Sequence, residues 1–351
     1  MRGMDNGMTS RERVFRTLEF KVPDRAPRQL WALPWVNMFA KDQMDMILQE
    51  FPSDFIAPGH VLASSERRSG QEGRKGTYVD DWGCIWVSGE DGIVGEVKHP
   101  PLADFSAMNN FSPPWEIVKR ADWDEVNRAQ EKNLAGEQKF MLCGTSIRPF
   151  ERMQFLRGTE SLYLDIGYGS AEFRRLLEIV HEFYLKELEA WAATDCDGIS
   201  FMDDWGSQKS LLISPAMWRE LFKPLYKDYC DIIHSSGKKV FMHSDGHIAA
   251  IYEDLIEIGV DAINSQLFCM NIEELGRQFS GRIAFWGEID RQRILPFGTV
   301  EDVYKAVGRV RRSLEGDTGG MIAQCEWGPN NPPENIRAVF EAWLIPINEL
   351  S

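Results

Sequence analysis

The 351-residue chain carries 39 Lys and Arg against 54 Asp and Glu, a net charge of −15. That balance excludes a sequence-independent nucleic-acid binder, which needs a basic footprint, and argues against a membrane-surface protein. With 43% hydrophobic and 26% charged residues the chain can bury a large core, and its length suits a single α/β barrel with insertions.

No run approaches the roughly 20 apolar residues of a membrane-spanning helix. The opening MRGMDNGMTSRERV lacks the apolar core of a signal peptide, so a cytoplasmic protein is expected. Cysteines stand at 84, 143, 196, 230, 269 and 325 with no C-x-x-C pair; free thiols are expected, each a small buried hydrophobe by default.

In chain order, Thr9-Ser10-Arg11-Glu12 has capping-box spacing and starts a helix to about Phe20. Pro23 and Pro27 end it and lead into an apolar stretch from Gln29 to Trp35. Strands are predicted near 28–33 and 54–57, and at 139–144, 197–202, 238–243, 260–264, 282–287 and 320–325. Helices are predicted over Ala171–Ala193, Pro215–Ser235, Ile248–Ile258, Asn271–Phe279 and Val300–Leu314, with a last one after Pro333. Eight strands alternating with helices predict a (β/α)8 TIM barrel, a single domain over 1–351. Residues 58–138 break the alternation and read as an insertion after the second strand, partly hairpin, covering the barrel mouth. Its Arg67, Arg68, Arg74 and Lys75 read as a solvated loop, or as a contact for an anionic ligand.

In such a barrel the C-terminal strand ends build the active site. Here they carry Asp203-Asp204-Trp205, Gln208, His243-Ser244-Asp245-Gly246, Asn264-Ser265-Gln266, Glu288 and Gln324-Cys325-Glu326. His243 and Asp245, two apart on an extended segment, point to the same side. With Cys325 from another strand they make a three-ligand set for Zn²⁺ with one open position. The alternative is a hydrogen-bonded His–Asp pair and an unrelated buried Cys. Asp204 reads equally as a helix cap, and Glu288 as the partner of a nearby arginine.

These segments carry a resemblance. TSRERVFRTLEFKVPDRAP, DDWGSQKSLLISPAMWRELFKPLYK, HSDG followed by DLIEIGVDAINSQ, FWGEIDRQRILPFGT and PPENI resemble the uroporphyrinogen decarboxylase superfamily over nearly the whole chain. That superfamily also contains zinc-dependent corrinoid methyltransferases. The decarboxylase branch implies two substrate-holding arginines in an Arg-Gln-Ala-Gly-Arg-Tyr stretch. Here Arg28-Gln29-Leu30-Trp31-Ala32-Leu33 keeps only the first, so Arg28 is the expected substrate contact. The Gly-His pair of that branch is replaced by Cys325-Glu326-Trp327-Gly328.

The methyltransferase branch is similar in His243 and Cys325, with Asp245 standing where a second Cys ligand is expected. It implies Zn on His243, Asp245 and Cys325, and a methyl group moved from a small O- or N-methylated donor to a corrinoid on a partner protein. Asp245 makes the site harder and puts a thiol substrate in doubt. Glu288 would be a general acid or a fourth ligand. Asp204, Gln208, Asn264 and Gln266 would orient the substrate, and Trp31, Trp35, Trp205, Trp286 and Trp327 would wall the pocket. The decarboxylase branch is dimeric, so a homodimer is an expectation carried by resemblance alone. The runners-up are a metal-free tetrapyrrole carboxy-lyase, metal-dependent chemistry on another small hydroxylated substrate, and a ligand-binding barrel without catalysis.

Overall fold

Thr9 opens the first helix: its side-chain oxygen accepts from Glu12 N at 3.1 Å, and the helix runs Ser10–Leu18. The computed structural model describes residues 7–317 and 319–350. Val14 and Leu18 of this helix are buried, and with Phe15 they join Phe55, Phe140, Phe241, Ala262, Ala284 and Ile322 in one apolar cluster. That cluster fills the barrel interior; the helix plugs its N-terminal end. Each fully buried side chain there contributes about 1.5–3 kcal/mol.

The strands are β1 (Arg28–Ala32), β2 (Phe55–Ile56), β3 (Gly76–Val79), β4 (Ile85–Ser88), β5 (Glu96–His99), β6 (Phe140–Gly144), β7 (Gly198–Met202), β8 (Lys239–Ser244), β9 (Ala262–Ser265), β10 (Ala284–Trp286) and β11 (Met321–Trp327). Eight form a sheet in the order β1-β11-β10-β9-β8-β7-β6-β2, with every paired neighbour parallel. Its two ends meet at Asp54, whose N donates to Arg28 O at 2.9 Å while Arg28 N donates to Asp54 Oδ2 at 2.7 Å. This is the expected (β/α)8 barrel.

Along β11 the side chains alternate. Ile322 belongs to the interior cluster, whereas Met321, Ala323, Cys325 and Trp327 belong to the outer core between strands and helices. On β1, Trp31 packs on the interior cluster and Leu30 on the outer one. This parity decides which residues reach the mouth.

β3, β4 and β5 form an antiparallel sheet inside the segment expected to be an insertion. That segment also contains the helix Trp123–Ala135, whose Trp123 packs on Trp191 of helix Ala171–Ala192. The three-stranded sheet packs on segments that follow β1 and β6: Arg152 bonds Asp80 at 2.9 Å, Trp86 meets Phe155, and Gly92 abuts Trp35. Arg68 pairs with Glu72 and Asp81, and Arg74 with Asp91, as a solvated loop would. The expected helix Pro215–Ser235 is two helices, Pro215–Leu221 and Lys223–Ser235. Pro224 lacks an N–H and cannot continue the first helix's ladder, but it suits the first turn of a new one, so the first helix stops at Phe222 and the second starts there. The expected helix Ile248–Ile258 is a 3-10 turn, Ala249–Ile251, followed by the helix Tyr252–Ile258. All six cysteines are free. No helix among the described residues is long and apolar enough to cross a membrane.

Candidate metal centre at the barrel mouth

β8 ends in three polar side chains and a glycine because the next turn must touch the turn after β7. Gly206 N donates to Asp245 O at 2.9 Å, and His247 N donates to Ser207 O at 2.7 Å. Gly246 has φ +80°, and a Cβ there would lie 2.1 Å from Gly206 O. Only glycine fits. The strapped turns bring Asp204 and Asp245 to the same nitrogen of His243, Nε2.

His243 is 8% exposed. Its Nε2 lies 3.5 Å from Asp204 Oδ1 and 3.5 Å from Asp245 Oδ1. One ligand atom from each of the three residues lies within 4.8 Å of the others. The ring's tautomer follows from its neighbours. Asn264 donates both amide hydrogens, to Trp286 O at 2.5 Å and to Gln324 Oε1 at 3.1 Å. Its Oδ1 must therefore accept from His243 Nδ1, 2.6 Å away. Nε2 is left facing two carboxylates, an arrangement that calls for a proton or a metal cation. Without a metal the proton wins. Burial pushes the imidazole pKa down, but Asp204 and Asp245 outweigh it and raise it to about 9. Burial likewise pushes the Asp204 carboxyl up, and His243 more than reverses this, leaving it below the usual range.

Asp245 is pre-aimed. Its Oδ2 accepts from Arg291 Nη2, while its buried Oδ1 has no hydrogen-bond partner. Arg291 also donates to Glu326 Oε1 at 2.7 Å and lies 3.8 Å from Glu288. Glu288 is 3% exposed and borders a 270 Å³ cavity with Gln208, Gln266, Cys269 and Arg291. Burial, only partly offset by Arg291, lifts its carboxyl pKa to about 8, so it holds a proton at neutral pH. Across the mouth, burial and then Asp204 raise Glu151 to about 7, and its Oε2 has no hydrogen-bond partner among the described residues. Arg148 stands beside it at 3.8 Å. Sequence reasoning missed Arg148 and Glu151. They directly follow β6, whose C-terminal end obeys the same rule that flagged the other strands.

A profile of the family described as uroporphyrinogen decarboxylase (URO-D) matches residues 86–343. The chain belongs to the URO-D family. A methyltransferase from Methanosarcina mazei has a similar fold at TM-score 0.70 and 15% identity, over 96% of this chain and 98% of the other. A xylanase 10B from Thermotoga maritima aligns over 97% of this chain and 100% of its own at TM-score 0.46 and 10% identity. A search of curated proteins finds no match.

Within this URO-D family barrel, several expected site residues stand elsewhere. Cys325 does not join His243 and Asp245. It sits at an outer position of β11, fully buried in the outer core, and burial, with Glu326 and Glu288 adding to it, drives its thiol pKa far up. Asp204 takes the third place. Arg28 is not at the mouth: it opens β1 at the N-terminal end, with its guanidinium over the Phe51 ring at 5.5 Å. Trp205 is buried outside the barrel, stacked on Phe150 with centroids 4.2 Å apart. Trp327 is also an outer residue. Trp31 lies 5.5 Å from the His243 ring, and Trp286 is buried in the interior cluster 4.9 Å from Trp31. Asn264 is 1% exposed and orients His243. Gln266 accepts from Gly246 N at 3.0 Å and lines the cavity with Gln208.

Proposed function

We propose that this chain is a cytoplasmic, metal-dependent methyltransferase, moving a methyl group from an oxygen or nitrogen of a small donor to a corrinoid on a partner protein. The observation that carries the metal is His243 Nε2, stripped of its proton's alternatives by Asn264 and facing two carboxylates at 3.5 Å. The unpartnered Asp245 Oδ1 fits the same ion. Asp204, His243 and Asp245 would hold it. They form a nitrogen–oxygen set compatible with Zn²⁺ and harder than a thiolate site. When bound, such an ion supplies Lewis acidity toward the atom that bears the methyl group. The chain's own residues do the rest. Asn264 fixes the imidazole, Arg291 fixes Asp245, and Trp31 offers an apolar face beside the His243 ring. Glu288 keeps a proton beside the cavity, ready for a departing oxygen or nitrogen.

Family membership and the fold likeness to a methyltransferase support the reading. The lyase alternative fits less well. A substrate with many carboxylates needs free cationic partners, and Arg28 lies away from the mouth while Arg291 is already engaged by Asp245 and Glu326. The test is methyl transfer from methoxylated and N-methylated donors to reduced cobalamin, followed by the absorbance of methylcobalamin. Transfer that vanishes in His243→Ala and Asp204→Ala is expected. Turnover of uroporphyrinogen unaffected by those changes, or tight donor binding with no transfer, would sink the proposal.

A further inference from the structure

A second cavity opens at the other end of the barrel, where the chain enters β1 and β11. It measures 350 Å³ and is walled by Val22, Pro23, Met321, Trp343, Leu344 and Pro346. Small-molecule sites begin at about this size. Trp343 stands just past the helix Pro333–Ala342 and is 6% exposed. Its indole N–H is buried with no hydrogen-bond partner among the described residues. Three other buried indoles find one. Trp205 Nε1 donates to Tyr226 Oη at 2.8 Å, Trp286 Nε1 to Gln29 Oε1 at 2.6 Å and Trp327 Nε1 to Asn331 O at 3.0 Å. Trp218 Nε1 also lacks one, but its ring is packed against Trp205 and Tyr226 in the aromatic core. Arg311 lies over the Trp343 ring at 5.2 Å and is itself tied to Glu315 and to the Ala342 and Ile345 carbonyls, so the indole is held in place. A buried N–H without an acceptor is costly, and one on a cavity wall calls for an acceptor from outside.

We propose that this cavity binds a small uncharged ligand with an apolar body and one carbonyl oxygen, held by Trp343 Nε1. The charges on its walls argue against an ion. Arg25 pairs with Asp54 at 2.6 Å, Asp24 with Arg13 at 2.6 Å and Arg311 with Glu315 at 2.8 Å, so each bordering arginine already has its carboxylate. Asp317, exposed at the rim, disfavours an anion further. An indole N–H only donates, so a cationic head finds no acceptor in it. A neutral carbonyl satisfies the N–H, and Met321, Pro23, Pro346 and the indole ring take the apolar body. Val22 and Leu344 are 58% and 54% exposed, so the ligand enters from solvent at the foot of the barrel. The cavity beside Glu288 shares no lining residue with this one. The site stands apart from the metal centre and does not depend on the methyltransferase reading.

The experiment uses the full-length protein with isotope-labelled tryptophan and follows the indole N–H resonances by NMR. The probes are cyclohexanone and methylenecyclohexane, which has the same ring with a methylene in place of the oxygen. Cyclohexanone should shift the one indole resonance that is missing from Trp343→Phe. It should bind more tightly than methylenecyclohexane by roughly three- to tenfold, the worth of one neutral hydrogen bond. Trp343→Phe should lose that preference and keep its affinity for methylenecyclohexane. Leu344→Trp fills the cavity from an exposed position and should bind neither probe while unfolding at the wild-type midpoint. It decides the matter if Trp343→Phe does not fold. A Trp343 resonance that cyclohexanone leaves in place, equal affinities in the wild type, a ketone preference that survives Trp343→Phe, or unchanged binding in Leu344→Trp would each overturn the proposal. So would a crystal soaked in cyclohexanone with only water on Trp343 Nε1.

Discussion

The two ends of this barrel both gather charge, and they settle it differently. At the N-terminal end, Asp54 is fully buried and saturated. It accepts from Ser10 Oγ at 2.7 Å, Arg13 Nη1 at 2.6 Å, Arg25 Nη1 at 2.6 Å and Arg28 N at 2.7 Å. Arg13 is held in turn by Asp24 at 2.6 Å. At the C-terminal end, Asp245 Oδ1, Glu151 Oε2 and Gln324 Nε2 are buried without partners. A finished network closes a seam; an unfinished one waits for a ligand. Counting charges would not separate the two ends, whereas counting satisfied carboxylate oxygens does.

The contrast can be broken from either side. The largest stability effect belongs to the finished end. Asp54→Ala leaves Arg13 and Arg25 without their buried partner and opens the β1–β2 seam. Chemical denaturation should show a loss of about 3–5 kcal/mol. Acid should act on the same group. Burial pushes Asp54 up, and its bonds from Arg25 outweigh this, so its folded pKa lies below the ordinary 3.8. Its stabilisation is complete above that value and is lost as pH falls below it. An acid titration of unfolding should therefore flatten at the low end in Asp54→Ala, and an unchanged curve would refute the assignment.

At the unfinished end the effect moves from stability to binding. Asn264→Ala frees the imidazole to rotate and should weaken metal affinity about 10- to 100-fold, read by competition with a chelating dye. Glu288→Gln leaves metal content unchanged. It should remove the pH dependence that Glu288 imposes on donor turnover near its pKa of about 8, where the wild-type rate falls as the proton is lost. The smallest effect is expected at Cys325. Cys325→Ala trims a buried outer side chain, costing about 1 kcal/mol of stability and no metal.

The sequence shows the barrel clearly because apolar runs and amphipathic runs alternate from residue 139 onward, and a parallel sheet needs both. The neighbourhood of His243 is legible for the same reason: HSDG interrupts an apolar strand at the end where sites lie. Cys325 misled because resemblance supplied the residue type but not the face. Counting by twos from Ile322 would have put Gln324 inside and Cys325 outside. Asp204 was legible as a catalytic or substrate-orienting residue but not as a partner of His243, since its approach to that ring depends on the Gly206–Gly246 contact between two turns. Arg28 misled in the same way as Cys325: the motif was present at the wrong end of its strand.

Metal content by mass spectrometry tests the central claim most directly, on protein purified anaerobically without a metal-affinity tag. About one divalent metal per chain is predicted in the wild type and in Cys325→Ala, with none in His243→Ala or Asp204→Ala. Metal lost in Cys325→Ala but kept in Asp204→Ala, or no metal in the wild type after zinc is supplied, would contradict the account.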